Sequence, residues 1–109
     1  NMLVRVRESD QGHLLENIVF LELIRRGYKV YVGQLDDGEV DFVAIGVDTT
    51  VYFQVAASTL DDKTLKRELA PLKRITDNYP KILLTLDEVF GTADYEGIQK
   101  QNVLEWLLE

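Results

Sequence analysis

Cysteine is absent from the 109 residues. That excludes a disulfide framework, a thiolate zinc site and a cysteine nucleophile, and it fits a cytoplasmic localisation. No apolar run reaches the length of a membrane span, and no signal-peptide pattern opens the chain, so no membrane partner is expected. There is no glycine-rich phosphate loop, so an ATP site is not expected in this chain. The only histidine, His13, lies on a helical stretch and reads as an ordinary side chain. Positive charge is in short supply, with 12 Lys+Arg against 19 Asp+Glu and a net charge of −7. An acidic domain is repelled by phosphate backbones. This weighs against a DNA partner without excluding one, because metal ions can bridge carboxylates to phosphate.

What is present is ordinary globular material, 46% hydrophobic and 28% charged. A chain of this length can bury one core without metal or disulfide staples. The expectation is a single domain over 1–109. The opening "NMLVRVRESD" has no methionine at position 1 and reads as a piece cut from a longer chain.

Hydrophobic periodicity gives the order of elements. Ser9 and Asp10 are placed to cap a helix running through "QGHLLENIVFLELIRR" to Gly27, with Arg25 and Arg26 at its negative end. Apolar residues cover nearly its whole circumference, which predicts burial on more than one side. Within it, Glu22 and Arg26 stand at helical spacing and read as a surface pair. "YKVYVGQL", "EVDFVAI" and "VYFQVAA" alternate like strands. The turns "DDG" and "GVDTT" join them into an antiparallel meander. A second helix follows, with Leu65, Leu69, Leu72 and Ile75 on one face. Asp61 or Asp62 is its cap, and Pro71 is expected to kink or split it. "KILLTL" has the continuous apolar character of a buried parallel strand. Gly91 and Gly97 mark turns, "IQKQNV" a short last strand, and "LEWLLE" a terminal helix. A crossover through a helix makes the third and fourth strands parallel. The predicted fold is α/β, a mixed sheet with helices on both faces.

Two polar residues interrupt the best strands: Asp41 in "EVDFVAI" and Gln54 in "VYFQVAA". Strand parity places Val40, Phe42 and Ala44 on one face of their strand, with Glu39, Asp41, Val43 and Ile45 on the other. In the next strand Val51, Phe53 and Val55 share one face, and Tyr52, Gln54 and Ala56 the other. Paired strands would then bring Asp41 and Gln54 together. Glu16, among apolar helix neighbours, could converge on the same point.

An acidic first helix, an Asp in a hairpin, Glu-x-Lys on the next strand and a crossover helix form the layout of the PD-(D/E)xK nuclease superfamily. "GHLLENIVFLELIRRGYKVYVG", "EVDFVA", "YFQVA" and "NYPKILLTLDE" resemble the C-terminal nuclease-like domain of a family of predicted prokaryotic AAA+ ATPases. The resemblance runs from Gly12 to the end and implies a restriction-endonuclease-like fold. By position it makes Glu16 the helix acid and Asp41 the metal-binding aspartate. Gln54 stands at the Glu of Glu-x-Lys, and Ala56 in place of the lysine. In active members carboxylates hold a hard cation such as Mg²⁺. The metal polarises phosphate and generates hydroxide, and the lysine supports developing charge.

Gln54 is neutral and Ala56 offers nothing, a loss worth on the order of 100- to 1000-fold in rate. Lys29, Lys63 and Lys66 are the lysines that could substitute, though none has a spacing that argues for it. Lys63, Lys66, Arg67, Lys73 and Arg74 read as a solvated helix face. The resemblance therefore implies a degenerate, non-catalytic domain acting as an interaction or regulatory module of an AAA+ ATPase. Its partners would be the ATPase module of the same chain or another protein. The alternative is a metal-dependent nuclease acting on DNA, with Asp41 and Gln54 as metal ligands.

Overall fold

The computed structural model describes residues 8–36, 38–89 and 92–109, with side chains from residue 10 onward. The turn signal at Gly91 therefore lies outside the described residues. The elements are α1 (Glu8–Arg25), β1 (Lys29–Leu35), β2 (Gly38–Ile45), β3 (Thr50–Ala56), α2 (Asp62–Lys73), β4 (Lys81–Thr85), β5 (Ala93–Tyr95), β6 (Ile98–Asn102) and α3 (Val103–Leu107). They form one six-stranded mixed sheet in the order β1-β2-β3-β4-β6-β5. The meander β1-β2-β3 is antiparallel, β3 and β4 are parallel across α2, and β4 and β6 are parallel. This is the α/β architecture that the periodicities predict.

Each face of the sheet has its own core. α1 and α3 cover one face, where Leu15, Val19, Leu23, Ala44, Phe53, Val55 and Trp106 pack together. α2 covers the other, with Leu69 and Leu72 against Val40, Leu83 and Ile98. Helix ends are set by local chemistry. Asp61 caps α2, its carboxylate accepting from the Thr64 N–H at 3.3 Å. Pro71 does not split α2. It sits in the final turn, and the helix ends two residues later at Lys73, so almost no helix follows it to be deflected. Ser9 and Asp10 lie within the described span of α1, Glu8–Arg25, rather than capping it. At its other end Gly27 adopts φ 94°, which a residue with a Cβ adopts only under strain. There the Tyr28 N–H reaches the Leu23 carbonyl at 3.1 Å, and the Gly27 N–H reaches Ile24 at 2.9 Å. This Schellman pattern satisfies carbonyls the helix leaves open.

Four further features differ from expectation. α1 is buried on one side only: Leu15, Val19 and Leu23 are inside, while Leu14 and Leu21 are 61% and 64% exposed. The Glu22–Arg26 pair is more than surface structure. Arg26 lies 4.4 Å over the Trp106 ring and donates to the Trp106 carbonyl at 2.7 Å, fastening α1 to α3. A three-residue edge strand, β5, precedes β6 and is joined to it by the Glu96–Gly97 turn, in which both residues have positive φ. That backbone twist suits a two-residue hairpin. Finally, strand parity fails within β2. Tyr31 faces Val43 but Gly33 faces Val40, so Val32 alone opposes both Asp41 and Phe42. This bulge turns Val40 to the α2 face, while Phe42 and Ala44 stay on the α1 face.

Candidate functional site

The β2–β3 ladder pairs Phe42 with Phe53 and goes no further. Beyond it the bulge lets the strands part, and their backbone groups need other partners. Side chains supply them. Gln54 Oε1 accepts the Asp41 N–H at 2.7 Å, and Asp41 Oδ2 accepts the Val55 N–H at 2.9 Å. Gln54 Nε2 donates to the Glu68 carbonyl oxygen at 3.2 Å and to Glu68 Oε1 at 3.3 Å. Gln54 is buried, only 4% exposed. The structure therefore does bring Asp41 and Gln54 together, but each spends its side chain on the other strand's backbone. Gln54 also ties the sheet to α2.

Glu68 is a site residue that the sequence reading missed. The available signal was its position: residues 65, 68, 69 and 72 follow i, i+3, i+4, i+7, so Glu68 falls inside the apolar stripe of α2. Glu16 approaches from α1. Glu16 and Glu68 both line a cleft of about 550 Å³ at the C-terminal end of β3, together with His13, Ala56, Ser58 and Arg67. Ala56 is part of this wall, so the position given to lysine by resemblance presents only a methyl group. Lys29, Lys63 and Lys66 are exposed and none of them lines the cleft. Of the basic helix face, Arg67 alone reaches the cleft, while Lys73 pairs with Glu96 at 3.3 Å.

Crowding of acids in this half-buried space shows in their protonation. Burial, then the charges of Asp41 and Glu68, push the Glu16 carboxyl up to about 7. Burial raises Asp41 against the opposing pull of the Val55 N–H, with Glu39 adding to the rise. Burial and the Asp41 charge raise Glu68, which Arg67 offsets in part. In each group the surroundings shift the balance toward the neutral form. A carboxyl raised on folding binds its proton more tightly in the native state, so the group's penalty is absent below its ordinary value of 4.5. The penalty grows from there to about pH 7, then stays constant. Glu16→Gln is accordingly expected to stabilise the protein at pH 8 by about 1–2 kcal/mol, after allowance for solvent screening. The gain should vanish near pH 4.5, as read from urea unfolding at the two pH values.

The donor set does not suit Mg²⁺. Asp41 Oδ2 and Gln54 Oε1 already accept backbone N–H groups. Among the described residues, no three His, Cys, Asp or Glu side chains are arranged to hold a metal ion.

A second buried polar cluster lies at the C-terminal end of β4. Asp87 and Lys100 are each 8% exposed, and Lys100 Nζ stands 3.1 Å from Asp87 Oδ2. The same oxygen accepts the N–H and hydroxyl of Thr59, each at 2.8 Å. Burial works to raise the Asp87 carboxyl, but Thr59, Ser58 and Lys100 outweigh it and hold it at about 2. The sequence signal was again parity, since Lys100 shares an inward-facing position with the buried Ile98 on β6. The cluster joins the segment after β3 to β4 and β6.

No family model matches the chain. An uncharacterised protein of Haemophilus influenzae is 44% identical to it over 101 residues. The match takes in 93% of this chain and 24% of that protein. The chain thus spans about a quarter of that relative's length. No helix among the described residues is long and apolar enough to cross a membrane.

Proposed function

We propose that this chain is a degenerate, non-catalytic PD-(D/E)xK nuclease-fold domain, acting in the cytoplasm as an interaction or regulatory module of an AAA+ ATPase. The observation that carries the reading is the use to which Gln54 is put. Its carbonyl oxygen is turned to the Asp41 N–H and its amide nitrogen to Glu68. A nuclease of this type needs that position to offer charge to a cation and needs a cation two residues on. Here the carboxamide splices strands and Ala56 supplies no charge. The fold is kept, and the polar residues of the former site hold it together. The ATP-hydrolysing machinery belongs, on this reading, to the rest of a longer polypeptide of which this is the C-terminal domain.

A metal-dependent nuclease is the second reading. The gathering of Glu16, Asp41 and Glu68, whose carboxyls are all raised in one region, favours it. Incubation with linear and branched DNA in Mg²⁺ or Mn²⁺ separates the two. The proposal predicts no cleavage above that of an Asp41→Ala control. Metal-dependent cutting that is lost in Asp41→Ala would sink it.

A further inference from the structure

Isolated apolar residues on a surface are ordinary, but an aligned row along one helix marks a contact face. On α1, Leu14, Ile18 and Leu21 stand at i, i+4 and i+7, on a face turned away from the buried Leu15, Val19 and Leu23. They are 61%, 39% and 64% exposed, and Ile24 beside them is 47% exposed. A helix facing only water places polar residues here. The row is also electrically quiet, on a chain of net charge −7. At its end the Arg25 guanidinium is already held by both Glu22 carboxylate oxygens, at 2.9 and 2.6 Å.

The Haemophilus relative indicates what could cover it. The match spans 24% of that protein, so most of the relative lies beside the homologous module. We infer that the Leu14–Ile18–Leu21 face of α1 docks into an apolar groove on an adjoining domain of the same longer polypeptide. The inference rests on the proposed reading of this chain as a module of a larger protein. Covalent linkage supplies an effective concentration in the millimolar range, so one helical row suffices to stay docked. Two free copies would lack that help. They would need a larger interface to form a stable dimer, and their like net charges repel. The contact is of the helix-in-groove type, with Leu14, Ile18 and Leu21 as anchors.

The test uses the full-length polypeptide carrying Leu21→Cys or Val47→Cys in a background free of other reactive cysteines. Val47 is 99% exposed and serves as the reference. Maleimide labelling of Leu21→Cys is expected to run at least about tenfold slower than that of Val47→Cys, because the site reacts only when the docked face opens. That ratio should be independent of protein concentration. Equal labelling rates would overturn the inference. So would protection that disappears on dilution, which would assign the face to a second copy of the chain. ATP hydrolysis by the same unlabelled polypeptide reports separately on the larger reading. An active ATPase with a reactive Leu21→Cys refutes the docking face alone, whereas a protected face on a protein without ATPase activity refutes the ATPase assignment alone.

Discussion

Gln54→Leu is expected to lower the unfolding free energy by about 2–4 kcal/mol, far more than an amide-to-alkyl change costs at a surface. Leucine removes the acceptor of the Asp41 N–H and the donor to Glu68 in a single step. The Asp41 N–H lies where the ladder has ended, so no neighbouring strand can take it. An unsatisfied buried donor alone costs about 1–3 kcal/mol, and loosening of the β3–α2 link adds to it. Gln54→Glu is the informative companion. It keeps the acceptor for Asp41 but sets a carboxylate against Glu68 Oε1 and beside Asp41. Its destabilisation should be large at pH 8 and smaller at pH 5, where the crowded carboxyls take up protons. Urea unfolding at both pH values reads the difference. A Gln54→Glu protein as stable as wild type at pH 8 would show that the strand splice matters little.

Lys100→Met should cost about 3–5 kcal/mol, the usual consequence of breaking a buried ion pair from one side. Asp87 would keep its two bonds from Thr59 but lose the Lys100 ammonium that stands 3.1 Å from it. The wild-type pair also sets an acid limit. Asp87 is held at about 2, below its ordinary value of 3.8. The stability it provides is therefore complete above pH 3.8 and is lost as the pH falls through about 2. In Lys100→Met that loss should begin at higher pH, because the group then keeps the burial penalty without its cation. Adding Asp87→Asn to Lys100→Met should recover part of the loss, since it removes the stranded charge while Thr59 can still hydrogen-bond. Additive losses in the double variant would contradict this account of the pair.

The elements that could be read from sequence are those set by neighbours in the chain. α1 ends where glycine follows two arginines, the meander follows from two short turns, and the parallel β3–β4 pair follows from the helix between them. What escaped is set by distant contacts. The bulge opposite Val32 depends on how β1 meets β2, and it moves Val40 to the face opposite the one parity assigns relative to Phe42. Asp41 and Gln54 were correctly expected to meet. Their mutual capping of strand backbones was not legible, because it arises only where the ladder stops. Glu68 and Lys100 each stood at an apolar position of its element, and each proved to have a buried polar partner. Strand β5, with three residues, is too short for a pattern. α1 looked buried all round because its sequence is apolar all round, yet this chain provides a core for one side only.

The central claim is that the side chains of Asp41 and Gln54 hold the structure together rather than a metal ion. A calorimetric titration of the chain with Mn²⁺ at pH 8, above the value of about 7 to which Glu16 is raised, tests it most directly. The account predicts no saturable binding with a Kd below about 1 mM, weaker than the range that dedicated carboxylate cation sites reach. One-site binding tighter than that, abolished by Asp41→Ala in a protein that remains folded, would contradict it.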